Sequence, residues 1–285
     1  MEAAFAELPL AIFTTLAPLG AGSFVVLAAA FLTVDFSEAQ LKRVDALTFV
    51  PLGVVLVGFA ASFMHLASPL NAPYVLSGIG SSPLSNEIFV GSAFLVLALV
   101  YAILAVLGKL SRRTRTGFAI AVALSGVVFA VFTGMAYVIE TISSWNTFLV
   151  PLQVVGFSLL GGGSLGLLVL VLAGTFDEAR KSSFRVGAIL VVAVGLALAL
   201  IGLCGQVALV NSQSTVATAG AALVAQAIPA LVCAVAFLML AGIAAVASFS
   251  VKKPLPLTLL ATCFAIVGVF AARLVFYALQ LSVGL

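Results

Sequence analysis

The sequence predicts an all-α membrane protein of eight transmembrane helices with both termini on the extracytoplasmic side. Three observations carry that prediction. The 285-residue chain is 64% hydrophobic and only 7% charged, with a mean hydropathy of +1.35, whereas soluble domains are about a quarter charged. Apolar runs of roughly 24 residues, enough to cross a hydrocarbon core of about 30 Å, recur along the whole chain. Of its 12 Lys and Arg residues, all but Arg273 fall in alternate connections between those runs. The net charge of +3 sits in short loops beside apolar segments, with no basic face interleaved with aromatics. It therefore marks topology and argues against a nucleic-acid partner. No stretch is left for a separate soluble domain, so 1–285 is expected to form one eight-helix transmembrane unit.

The elements follow in order. Residues before Leu8 carry Glu2 and Glu7 and no cation, unlike the basic start of a cleavable signal peptide, so the first run, 8–33, is expected to remain as span one. Lys42 and Arg43 precede span two, 46–68. Ser82 and Pro83 read as an N-cap and a first-turn proline opening span three, 84–108. Lys109, Arg112, Arg113 and Arg115 separate it from span four, 117–141. Span five, 147–175, contains Gly161-Gly162-Gly163, read as a close helix contact of the kind small residues permit in lipid. Arg180, Lys181 and Arg185 lead to span six, 186–210. Span seven covers 217–249, and Lys252 and Lys253 precede span eight, 257–281. The second, fourth and sixth connections hold no Lys or Arg, so the positive-inside rule places the odd connections in the cytoplasm. Cys204, Cys233 and Cys263 lie singly in three spans with no metal-binding spacing and read as buried apolar fillers. Pro9 to Gly20 and Pro151 to Gly162 share one spacing, which would fit a weak duplication of four helices plus four.

The polar residues away from the basic loops define a candidate site. His65, the single histidine, stands about one turn below the outer end of span two. Glu87 stands about one turn into span three, and Glu140 ends span four. Arg273 lies roughly 25 Å past Pro256, in the outer half of span eight, with Tyr277 one turn further and Gln280 another. No ionisable group is expected in the inner half. Ionisable groups inside a membrane are costly and usually mark function. Singly, each also reads as a side chain reaching for the headgroups, or, for Arg273, as a carboxylate's counter-ion. Their convergence at one depth is what points to a site. The connection above them is uncharged and punctuated by Pro69, Pro73, Gly78, Gly80 and Pro83, which suits a rigid roof.

Elimination narrows the chemistry. One histidine cannot hold a bis-histidine haem, and scattered cysteines cannot ligate an iron–sulfur cluster. Neither a metal-hydrolase ligand set nor a nucleophilic triad is present. A secondary transporter would show broken helices and charges near the midplane. Proton-coupled chemistry on an apolar substrate remains, and a quinol fits: its oxidation releases two protons, which His65 and Glu87 could accept. Arg273 would keep a buried carboxylate ionised, and Tyr277 could hydrogen-bond a quinone oxygen.

Several segments are familiar. They are Met64-His65-Leu66-Ala67-Ser68-Pro69-Leu70-Asn71-Ala72, Leu84-Ser85-Asn86-Glu87-Ile88 with Gly91-Ser92, Glu7-Leu8-Pro9-Leu10-Ala11-Ile12-Phe13-Thr14, and Val275-Phe276-Tyr277 with Ser282-Val283-Gly284. Together they closely resemble the membrane-anchor subunit of dimethyl sulfoxide reductase, along the whole chain. The resemblance implies a cofactor-free, eight-helix anchor in the bacterial cytoplasmic (inner) membrane. Such an anchor oxidises menaquinol or ubiquinol in anaerobic respiration. Its electrons pass to a four-cluster [4Fe-4S] iron–sulfur subunit and on to a molybdenum bis-pterin catalytic subunit. The resemblance places the family's quinol-site histidine at His65 and its acid at Glu87, with Ser68, Pro69, Ser85 and Asn86 in the same motifs. Two departures are Asn71, where members can carry a basic residue, and Gln280, where a histidine can occur. Anchors of the polysulfide- or nitrite-reductase type would share the quinone chemistry and differ in partners. Because tunnelling weakens steeply with distance, a quinol near the outer face favours soluble partners on the extracytoplasmic side.

Overall fold

A segment with no water-facing stripe can satisfy its backbone in lipid by closing every hydrogen bond within a helix, and the protein adopts that solution. A computed structural model describes residues 2–64, 69–215 and 218–282. Its helices are α1 (Glu2–Ala6), α2 (Leu8–Thr33), α3 (Glu38–Leu47), α4 (Phe49–Met64), α5 (Pro83–Val106), α6 (Arg112–Met135), α7 (Leu149–Leu172), α8 (Phe176–Ala179), α9 (Phe184–Asn211), α10 (Gly220–Ala247) and α11 (Leu255–Ala278). With α3 and α4 as one run, eight helices among the described residues are long and apolar enough to cross a membrane.

Span one coincides with α2, and most of the other boundaries lie within a few residues of those expected. Two differences matter. Span two begins earlier, because Ser37 and Gln40 form a reciprocal capping box that starts α3 ahead of the apolar run. Span four stops at Met135 rather than 141. Its last apolar residues serve a different purpose: the backbone turns there and packs over the end of α11. Ser143 N–H donates to the Leu281 carbonyl at 3.1 Å, and Leu281 N–H donates to Ser144 Oγ at 2.9 Å. Ile142 and Trp145 are buried beneath this loop.

Helices α2 and α7 are the centre of the bundle, buried along most of their length. Around α2 stand α4, α6 and α11; around α7 stand α9, α11 and α6. Helices α5 and α10 are peripheral and lean on α6 and α11 respectively. Against α4, α5 makes only a thin contact, where Phe59 lies against Gly91. The central pair touches through residues with little or no side chain. A Cβ on Gly22 would fall 2.0 Å from the Ser158 carbonyl oxygen, and one on Gly162 would fall 2.3 Å from the Gly22 carbonyl carbon. Ser158 Oγ donates across the contact to the Pro18 carbonyl at 2.7 Å. The glycine run is therefore a packing device, as read from the sequence.

Two expectations need correction. Cys204 and Cys263 are exposed and Cys233 is half-buried, so they are not buried fillers. A thiol is apolar enough to face lipid, so burial brings it little. Nor is the basic end free of buried charge. Arg115 Nε and one of its terminal nitrogens both donate to Asp45 Oδ2, at 3.1 and 3.0 Å, and both side chains are buried. Each sits beside a basic loop in the sequence, so each reads there as a solvated connection residue. Nearby, Arg112 pairs with the exposed Asp35 at 3.0 Å and donates to the Phe36 carbonyl.

Replacing Gly162 with valine should separate α2 from α7 and destabilise the protein by about 1–3 kcal/mol. Thermal unfolding in detergent should show a lowered midpoint. The same change at Gly187, which meets nothing within 4 Å, should leave it unchanged.

Candidate functional site

Four helices bring Glu87, Arg273 and Tyr277 together at the end of the bundle where α2 begins and α11 ends. Helix α5 starts where Ser82 accepts the Ser85 N–H at 3.4 Å, followed by Pro83 in the first turn. One turn in, Glu87 shares a buried stripe with Gly91, Phe94 and Ala98 and so points into the bundle. Helix α11 carries Arg273 and, four residues on, Tyr277. Helix α2 contributes Thr14, and α6 contributes Thr133.

Arg273 is fully buried, and its surroundings explain how that is tolerated. Its Nε donates to Thr14 Oγ1 at 2.8 Å, and Thr14 Oγ1 in turn donates to the Leu10 carbonyl at 2.7 Å. One terminal nitrogen donates to Tyr277 Oη at 3.3 Å. The guanidinium carbon lies 4.0 Å from the centre of the Phe276 ring and 5.0 Å from those of Tyr137 and Tyr277. Cation–π contacts of this kind are worth roughly 2 kcal/mol when desolvated. Trp145 stacks on Phe276 at 4.7 Å and donates from Nε1 to the Phe276 carbonyl at 3.2 Å, which closes the aromatic box.

What this arrangement leaves unused is as informative. Arg273 Nη1, Glu87 Oε1 and Thr133 Oγ1 are all buried without a hydrogen-bond partner among the described residues. The Thr133 hydroxyl lies close enough to act on the Glu87 carboxyl as a hydrogen-bond donor, and Arg273 acts on it through charge, yet no direct ion pair between Glu87 and Arg273 is found among the described residues. An idle guanidinium nitrogen and a carboxyl group beside Thr133 thus share one low-dielectric interior. Buried polar atoms are nearly always paired, so the idle Arg273 nitrogen leaves room for an acceptor, such as water or a polar group of a bound molecule.

The other sequence-predicted residues divide. His65 and Ser68 lie outside the described residues. Pro69 opens a 3-10 segment, Pro69–Gly78, that leads to α5. Ser85 and Asn86 hold this roof. A Cβ on Gly78 would meet Ser85 Oγ at 2.6 Å. Asn86 Oδ1 accepts the N–H of Gly80 at 2.7 Å, whose φ of +88° favours glycine. Asn86 is therefore a latch on the roof. Glu140 and Gln280 are exposed, in the connection after α6 and beyond the end of α11. They stand outside the buried cluster. Sequence reasoning passed over Thr14, Thr133, Tyr137 and Trp145, since a lone hydroxyl or ring in an apolar run looks like packing. The single Trp of the protein, in a connection expected to be loop, was the one usable signal.

A lipid-facing groove of about 520 Å³ runs along α5, lined by Leu76, Phe89, Ser92, Ala93, Val96, Leu97 and Val100. All but Leu76, which comes from the 3-10 segment, occupy the face of α5 turned away from Glu87, so the groove is separate from the polar cluster.

The family described as DMSO reductase anchor subunit (DmsC) matches residues 1–279. The sequence is 37% identical over 182 residues to a subunit of the anaerobic dimethyl sulfoxide reductase of Escherichia coli (strain K12), covering 64% of this protein and 63% of that one. To the subunit of the same name in Haemophilus influenzae it is 34% identical over 174 residues, 60% of this protein and 61% of the relative. To the anaerobic dimethyl sulfoxide reductase chain YnfH of E. coli it is 30% identical over 203 residues, 71% and 68% respectively. The matched part thus spans a little over six tenths of the length of each of the first two relatives.

Replacing Asn86 with alanine should remove the latch at a cost of about 1 kcal/mol. Hydrogen exchange at the amides of residues 78–82 should then quicken about fivefold, with the amides of α7 unaffected.

Proposed function

The chain belongs to the DMSO reductase anchor-subunit family, and from that membership and the buried Glu87–Arg273 cluster we propose that it is a quinol-oxidising membrane anchor. One observation carries the reading: Arg273 Nη1 and Glu87 Oε1 are both buried without a hydrogen-bond partner among the described residues, and the two side chains act on each other without forming an ion pair. A quinol hydroxyl both donates and accepts. It would donate to the Glu87 carboxylate and accept from Arg273 Nη1, meeting both at once.

Oxidation takes a quinol to a quinone, two protons and two electrons. Glu87 takes one proton, and His65, one turn from the end of its span by sequence, takes the other. As the first proton leaves, negative charge grows on the quinol oxygen. The Arg273 guanidinium, held in place by Thr14 and the aromatic box, stabilises that charge in a medium where few competing dipoles exist. The electrons pass to an iron–sulfur subunit and on to a molybdopterin catalytic subunit, the partners that family membership implies. The roof latched by Asn86 keeps bulk water away from the reacting hydroxyl.

Orientation follows from charge. The end bearing Arg112, Arg180 and Lys252 faces the cytoplasm, and the end bearing Glu87 and both termini faces outward. The iron–sulfur partner docks at that outward end, closest to the quinol. The packing of α4 and α6 around α2 matches that of α9 and α11 around α7, which supports reading the protein as a four-plus-four duplication.

Two measurements test this. In an assembled complex, Glu87→Gln and His65→Ala should each lower quinol-dependent turnover by about 10²-fold; undiminished turnover would reject the roles assigned. For orientation, the native cysteines are replaced and single cysteines placed at Glu140 and at Lys181. A membrane-impermeant maleimide should label the first in intact cells and the second only after permeabilisation, and the reverse pattern overturns the topology.

A further inference from the structure

Protons released in a buried site must leave it, and most polar groups around Arg273 are already committed. Thr14 donates its hydroxyl hydrogen to the Leu10 carbonyl at 2.7 Å while accepting from Arg273. Trp145 Nε1 is spent on the Phe276 carbonyl. Arginine does not give up its proton in proteins. The remaining groups in this wall are two phenols. Tyr277 Oη accepts from Arg273 at 3.3 Å and lies 2.6 Å from Tyr137 Oη, a short O–H···O contact. Tyr277 is 1% exposed. Tyr137 stands just past the end of α6, half-buried, in the connection at the end of the bundle where α2 begins and α11 ends. Both Glu87 and Arg273 act on it electrostatically, so it belongs to the same cluster. The hydroxyl pair therefore starts beside Arg273 in the closed interior and ends on a residue whose backbone belongs to the connection at the bundle end.

We propose that Tyr277 and Tyr137 are the proton outlet of this site, an inference that rests on the quinol reading above. The proton leaving the site bonds to Tyr277 Oη as Tyr277 passes its own hydroxyl proton to Tyr137. Tyr137 gives its proton to water at the bundle end. Each phenol gains one O–H bond and loses one, neither ends ionised, and the two electrons go to the iron–sulfur partner. The guanidinium beside Tyr277 opposes positive charge on that oxygen, so the two transfers occur together. Two phenols that merely satisfied each other could have paired anywhere in the core. This pair bridges the one buried cation on α11 and the connection at the end of the bundle.

The test is Tyr137→Phe in the assembled complex, which keeps the ring and its stacking and removes the hydroxyl. With a short-chain menaquinol analogue and dimethyl sulfoxide, turnover should fall about 10²-fold with unchanged KM for the quinol, and the solvent deuterium isotope effect should rise. Tyr277→Phe should behave alike, and the double variant should be no slower than either single one. Wild-type turnover in Tyr137→Phe, or a fall with an unchanged isotope effect, overturns the outlet. Glu87→Gln run alongside separates the two readings. If it is inactive while Tyr137→Phe is fully active, the outlet alone fails; if both are fully active, the quinol site fails with it.

Discussion

The approach of α2 to α7 is the constraint on which the rest depends. Lipid offers no hydrophobic force to press helices together, so association depends on close packing and on a few hydrogen bonds. Gly22, Ser158 and Gly162 supply both, bringing two backbones into contact and tying them with the Ser158–Pro18 bond. With that pair fixed, α6 and α11 each wedge against both central helices. That wedge brings Thr14, Thr133 and Arg273 to one place. Gly134 shows how tight it is: a Cβ there would fall 2.2 Å from the Pro151 Cα. The site is thus a product of backbone contact made well away from its own polar atoms.

A full positive charge in the interior is the energetic cost of this arrangement. Moving it from water into a protein core would be prohibitive without compensation. The protein compensates with two hydrogen bonds and the faces of three aromatic rings, and leaves one nitrogen idle. At the opposite end, Arg115 is buried by another means, a double contact to one oxygen of Asp45. One cation is held by a carboxylate, whereas the other has no ion pair among the described residues.

Span number and placement were legible because hydrophobic length and loop charge are local properties. Glu87 and Arg273 were legible as a pair because each is an ionisable residue in an otherwise apolar run. Thr14 and Thr133 were not, since a hydroxyl in a membrane helix usually bonds its own preceding turn, as Thr15 does with Ala11 at 2.7 Å. Tyr137 and Trp145 were hidden for a different reason. Their meaning depends on where the backbone turns after Met135, and the apolar residues there mimic a continuing span. The Asp45–Arg115 pair was invisible because its members lie 70 residues apart and each sits next to a solvated loop.

The thin seam between α4 and α5 has a consequence of its own. Everywhere near the centre the helices are cemented by glycine and serine, yet α5 is held chiefly from one side, by α6. The end of α4 and the start of α5, with Glu87 one turn in, flank that seam. A helix held from one side parts from the bundle at the least loss of packing, so α5 is where the assembly of helices gives way first.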